Sequence, residues 1–82
     1  MDIRHIREIA QRYNPEEIER CISDQLETGK NVCLSDETSE KLIDDLSKAE
    51  AVRQFMDEGM TLADALRELA RRIRRLQSSF DL

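Results

Sequence analysis

Hydrophobic residues recur every three or four positions along most of the chain, the spacing that aligns side chains on one face of an α-helix. Ile3 and Ile6 open the first of these stripes. The stripe stops at Asn14 and Pro15, because the residue before a proline is disfavoured in the helical conformation. The pattern therefore predicts a first helix at about residues 2–12.

A second helix is predicted at about residues 15–28, and both of its ends carry boundary signals. Asn14 suits the N-cap position and Pro15 suits the first helical position. Glu17 stands three positions after the cap, where its carboxylate can complete a capping box. Gly29 suits the left-handed residue that commonly ends a helix.

Two longer apolar stripes follow a short loop. They predict a third helix at about residues 36–58, with residue 39 as the alternative start, and a fourth at about residues 62–76. Ser35 and Thr38 are both suitable N-caps for the third helix, and the sequence does not choose between them. Gly59 interrupts the two stripes and marks the turn between them.

The composition agrees with a wholly helical protein. The chain has 82 residues with only two glycines and one proline, so helix breakers are rare. The predicted fold class is all-α, with four helices forming two helical hairpins around one core. The predicted domain covers residues 1–76, and residues 77–82 are expected to form a frayed C-terminal tail.

The small size of the chain favours self-association. A domain of this length buries roughly 60–65% of its unfolded surface, which gives a marginal core. No metal site or disulfide is expected to reinforce that core, so pairing with a second copy is the predicted compensation. The stripes of the third and fourth helices offer the apolar surface for such a homodimer. The predicted interface residues are Leu42, Leu46, Phe55, Leu66, Leu69 and Ile73.

The sequence predicts a cytoplasmic location. No apolar run approaches the roughly 18 residues that a membrane-spanning helix needs. The first residues form a polar, helix-patterned segment rather than a signal peptide with an apolar centre.

The two cysteines lie twelve positions apart and are expected to stay reduced, as thiols do in the cytosol. Cys21 lies on an apolar stripe and is predicted to be buried, whereas Cys33 lies in the loop and is predicted to be accessible and unpaired with it. His5 is the third residue that could join them around a metal ion. Three such ligands fall short of a closed zinc site, so neither a metal nor a cofactor is predicted.

Charge is divided unevenly along the chain, which has a formal net charge of −5. Residues 14–50 contain eleven acids and four bases, whereas the end of the fourth helix is rich in arginine. These arginines can neutralise nucleic-acid phosphates, but they can also solvate the helix end or pair with the acidic middle of this chain or of a partner subunit. The candidate contact residues are Arg67, Arg71, Arg72, Arg74 and Arg75.

Catalysis is not predicted. The adjacent acids, such as Glu16 and Glu17, fall at helix starts or on polar faces, where water solvates them. General acid–base catalysis instead needs a sheltered carboxylate with a shifted pKa. The sequence contains no glycine-rich phosphate loop and no recognisable Ser/His/Asp set, and it has a single histidine. The predicted function is a small, non-catalytic, cytoplasmic protein–protein interaction module that forms a homodimer. The alternative is a small nucleic-acid-binding regulator that uses the arginine-rich helix end.

The last residues carry one further pattern. Gln77 is followed by Phe80 and Leu82, three and five positions later. This spacing resembles the linear motif by which many bacterial proteins bind the replication sliding clamp, although Ser78 stands where leucine is common. The resemblance implies clamp binding. The same residues also fit a tail that folds its phenylalanine onto the last helix.

Overall fold

A computed structural model describes residues 2–35 and 38–80, with side chains described as far as Gln77. Throughout these residues the regular structure is α-helical, which confirms the predicted all-α fold. The four helices are α1 (Ile3–Arg12), α2 (Pro15–Thr28), α3 (Ser39–Asp57) and α4 (Leu62–Phe80).

The junction between α1 and α2 forms as the local signals predict. The side-chain oxygen of Asn14 accepts a hydrogen bond from the backbone N–H of Glu17 at 2.8 Å. The Glu17 carboxylate accepts one from the backbone N–H of Asn14 at 3.0 Å, which completes a capping box. At the other end of α2, Gly29 adopts a left-handed conformation with φ of 77°. The predicted bounds of α2 are confirmed.

The third helix begins at the later of the two positions that the candidate caps allow. Thr38 is its N-cap, and the Thr38 hydroxyl accepts a hydrogen bond from the backbone N–H of Lys41 at 3.4 Å. Helix α3 therefore begins at Ser39 rather than near residue 36. The earlier of the two predicted starts, residue 36, lies outside the described residues, as does residue 37.

The fourth helix is about one turn longer than predicted. It continues to Phe80 instead of ending near residue 76, so residues 77–80 extend the helix rather than form a separate tail. These four residues include neither glycine nor proline, the two residue types that most strongly disfavour a helix, so the helix can continue through them. The rest of the predicted tail, residues 81–82, lies outside the described part of the chain.

Helix α3 is the centre of the fold, since α1, α2 and α4 each pack extensively against it. The first two helices lie on α3 rather than mainly on each other, so the consecutive helices that pack together are α2 with α3 and α3 with α4. Side chains from all four helices meet in one core. Its largest fully buried members are Ile6, Ile18, Leu46 and Val52.

Two buried polar residues tie other segments to this core. Asp45 on α3 accepts a hydrogen bond from the backbone N–H of Asp2 at 3.4 Å, at the start of α1. Gln25 on α2 donates to the hydroxyl of Ser39, the first residue of α3, at 3.1 Å. Buried polar groups stabilise a fold only when they are hydrogen-bonded, and both of these have partners. None of the helices in the described part of the chain has the length and apolar character needed to cross a bilayer.

Candidate functional site

The predicted dimer interface is mostly covered within the single chain. Leu42, Leu46, Phe55 and Leu69 are all less than one-tenth exposed, because α3 lies at the centre of the fold and buries them against the other helices. These four side chains are therefore core residues and are not available at the surface of the folded chain.

Two residues of the predicted interface remain half-buried, and both lie on α4. They are Leu66 and Ile73, which pack at the edge of the core. One turn after Ile73 the same stripe reaches Leu76, whose exposed fraction is 60%. The apolar stripe of α4 thus runs beyond the core that covers its beginning. We call Leu66, Ile73 and Leu76 the α4 face.

The arginines of α4 are largely engaged by acids on the same helix. Arg67 binds Asp64 at 2.9 Å. Glu68 accepts hydrogen bonds from both Arg71 and Arg72, with Nε–O distances of 3.0 and 2.9 Å. Hydrogen bonds from these two guanidinium groups lower the pKa of Glu68 to about 2. The helix keeps a positive balance, with five arginines and two acids between residues 62 and 80.

Arg72 also joins α4 to the end of α3. Its guanidinium lies 4.6 Å from the centre of the Phe55 ring, within the range of a cation–π contact. Arg74, by contrast, makes its hydrogen bond to the backbone carbonyl of Ala70 at 3.4 Å, and its side chain is exposed. The arginine cluster is therefore divided between structural contacts and solvent-facing charge.

A disulfide joins Cys21 to Cys33, contrary to the prediction that Cys33 is free. The S–S distance is 2.04 Å and the two Cα atoms are 6.1 Å apart, within the range that a disulfide can bridge. Cys21 is buried, as predicted, with 2% exposure. The prediction for Cys33 is wrong because the loop after Gly29 turns back against α2 instead of extending into solvent.

Asn31 is responsible for that turn. Its side-chain oxygen accepts hydrogen bonds from the backbone N–H groups of Cys33 and Leu34, at 2.9 and 2.8 Å. Its side-chain nitrogen donates to the buried Gln25 at 2.8 Å. An asparagine whose side chain accepts from backbone N–H groups two and three residues later forms a recognised turn, and this signal was missed in the prediction from sequence.

A groove lies between the start of α2 and the returning loop. We call it the α2 groove; its volume is about 270 Å³. The Tyr13 hydroxyl donates a hydrogen bond to the carbonyl of Val32 across one end, at 3.4 Å. Val32 itself is 83% exposed. The charged side chains lining the groove are Glu16, Glu17, Arg20 and Asp24.

A carboxyl pair lies elsewhere on α2 and α3. Loss of hydration, together with the hydrogen bond and negative charge of Glu19, raises the pKa of Glu50 to about 7. Within the described structure, the Oε2 atom of Glu50 is buried and accepts no hydrogen bond. The pair brings two acids together between packed helices, which the sequence pattern did not reveal.

The residues considered for a metal site do not converge. Cys21 and Cys33 are consumed by their disulfide and have no thiolate to offer. His5 lies instead beside Asp2 and Asp45, with Nδ1–O distances of 3.6 and 3.7 Å. Among the described residues, no group of three or more potential ligands is arranged to hold a metal ion.

The clamp-like pattern cannot be placed in the same way, since the side chain of Phe80 and the whole of Leu82 lie outside the described structure. Comparison with known proteins adds no further assignment. The chain matches no protein family, no curated protein and no solved structure.

Proposed function

We propose that this chain is a small, non-catalytic protein–protein interaction module that pairs with a second copy through the α4 face. The observation that supports this proposal is the 60% exposure of Leu76 at the end of an otherwise core-facing stripe. Exposed leucines are common singly, but this one continues the line of Leu66 and Ile73, which are only half covered. A second helix surface placed on this line removes apolar area from water and so stabilises the pair.

The proposed dimer interface is smaller than one formed by all six residues predicted from the sequence. Four of the six predicted interface residues are used in the core of the single chain, so the remaining apolar surface is small. We expect an interface at the low end of the specific range, below about 1,200 Å² in total. Such contacts form reversibly, so the folded monomer and the dimer should coexist and exchange with concentration.

Binding to nucleic acid is the less favoured alternative. Asp64 and Glu68 already neutralise charge on Arg67, Arg71 and Arg72, which lowers the number of guanidinium groups free to meet phosphates. The overall charge of −5 also repels a polyanion. Both observations support a protein partner over a nucleic acid.

The cytoplasmic location stays a prediction, and the disulfide weighs against it. Persistent disulfides occur mainly in oxidising compartments, because cytosolic thiol systems reduce them. Because Cys21 and Cys33 are bonded to each other, the expectation of two reduced thiols no longer supports a cytoplasmic location.

The proposal is tested by light scattering after size-exclusion chromatography over a concentration series. The wild type should shift from monomer to dimer as concentration rises, and Leu76→Asp should remain monomeric and folded. Leu26→Asp is the matched control, because Leu26 is 72% exposed on α2 and lies away from the α4 face. This control should dimerise like the wild type. A wild type that stays monomeric at every concentration would contradict the proposal.

A further inference from the structure

We infer that the α2 groove is the surface that receives the α4 face of the second copy. This inference rests on the proposed function and specifies both halves of its contact. Three acids and one arginine line the groove, whereas α4 carries an excess of arginines. The same chain therefore presents two surfaces of opposite charge, each with exposed apolar area.

The groove offers both apolar contact for Leu76 and negative charge for the arginines that neighbour it on α4. Val32 and Tyr13 form one side, and the exposed Val32 side chain offers apolar contact. Glu16 and Asp24 supply negative charge along the same groove. On α4, Leu76 supplies the matching apolar group, and the neighbouring arginines can lie over the acidic rim.

The groove has room for a few side chains of a docked helix. Its volume of about 270 Å³ lies near the lower end of the roughly 300–1,000 Å³ that is usual for a ligand pocket. A few side chains of a docked helix fill such a space without requiring the partner to be enclosed. The loop that forms one side is held against α2 by the disulfide and by Asn31, so the groove is present before a partner arrives.

Charge also decides against the simplest alternative, in which the α4 faces of two copies pack on each other. That arrangement brings two arginine-rich helices together, and like charges across an interface oppose association. Placement of α4 in the groove instead pairs its arginines with Glu16 and Asp24. In a two-fold dimer this contact occurs twice, because each copy contributes one groove and one α4.

A charge-exchange experiment tests the inference. The groove variant carries Glu16→Lys and Asp24→Lys, and the helix variant carries Arg74→Glu and Arg75→Glu. Each variant alone sets like charges against each other in both contacts, and its dimer affinity should fall by at least about tenfold. An equimolar mixture restores opposite charges in both contacts, and should form a heterodimer of nearly wild-type affinity. Circular dichroism establishes that each variant is folded.

The control variant carries Glu27→Lys and Glu58→Lys, two exposed acids outside the groove. It makes the same change in net charge as the groove variant and should keep the wild-type affinity. If the groove variant dimerises as tightly as this control, while Leu76→Asp remains monomeric, the inference is wrong and the proposed function stands. If the wild type never dimerises, the proposed function itself fails. A mixture of the two folded variants that stays monomeric would likewise overturn the inference.

Discussion

Cys33 is joined to Cys21 by a disulfide that anchors the loop after α2 to the middle of that helix. One partner is almost fully buried and the other lies in the loop at the edge of the core. The bond closes a short segment of chain, with a separation of twelve positions. It also holds one side of the α2 groove in place, and this groove is the surface that we propose binds the second copy.

Reduction of this disulfide should destabilise the protein. Closing a loop of this length removes conformational entropy from the unfolded chain, worth about 3 kcal/mol in the chain-entropy description. Urea unfolding with and without a reductant measures the difference. The double variant Cys21→Ala and Cys33→Ala is the control, since its stability should not respond to the reductant. Equal free energies of unfolding for the oxidised and reduced wild type would contradict this account.

Loss of the α2 cap should be measurable as well. Asn14→Ala removes the acceptor for the Glu17 N–H and should cost about 1 kcal/mol of unfolding free energy. Glu16→Ala changes an exposed residue in the same turn that takes no part in the capping box, and should cost less than about 0.5 kcal/mol. Chemical denaturation of both variants separates the two effects. Equal losses would show that the cap contributes nothing specific.

The two leucines of α4 should differ sharply. Leu69 is 8% exposed and packs in the core, so Leu69→Ala should cost about 2–4 kcal/mol. Leu76 is 60% exposed, and Leu76→Ala should change monomer stability by less than about 1 kcal/mol. Thermal unfolding at a concentration that keeps the chain monomeric measures both values. A large loss for Leu76→Ala would mean that this side chain belongs to the core.

Leu69→Asp should unfold the chain, because a carboxylate would replace a buried core side chain without a partner. From the sequence alone, Leu69 was one of the six residues predicted to lie at a dimer interface. The structure assigns it to the core instead. A folded Leu69→Asp variant, detected by circular dichroism, would contradict that assignment.

Glu50 should make stability depend on pH. Its pKa is raised from 4.5 in the unfolded chain to about 7 in the folded one. Between these values the folded chain retains a proton that the unfolded chain has lost, so a rise in pH favours unfolding. This contribution to stability is complete below pH 4.5 and is lost by about pH 7.

Replacement of Glu50 by Gln removes that titration. The variant should gain stability relative to the wild type as pH rises through this window, and the gain should level off at higher pH. Glu27→Gln is the control, because Glu27 is exposed on α2. Urea unfolding across the pH range compares the three proteins. Parallel pH profiles for Glu50→Gln and the wild type would show that Glu50 does not carry this effect.

Signals between residues a few positions apart were sufficient to predict the helices. Asn14, Pro15 and Glu17 specify the start of α2, and Gly29 specifies its end, because capping bonds and backbone preferences act within one turn. The same local rules left the start of α3 between two candidate caps. They also placed the end of α4 near residue 76, although the helix continues to Phe80 because no glycine or proline interrupts it.

Only the tertiary structure decided which parts of each apolar stripe are covered. The predicted stripe of α3 is buried because three helices pack around it, and no periodicity along one segment reveals how many neighbours that segment will have. For the same reason the exposed end of α4 at Leu76 emerged only once the extent of its packing on α3 was known. The disulfide and the Glu19–Glu50 pair were likewise decided only by the tertiary structure. They join residues 12 and 31 positions apart, and such distances depend on the path of the chain between them rather than on local preference.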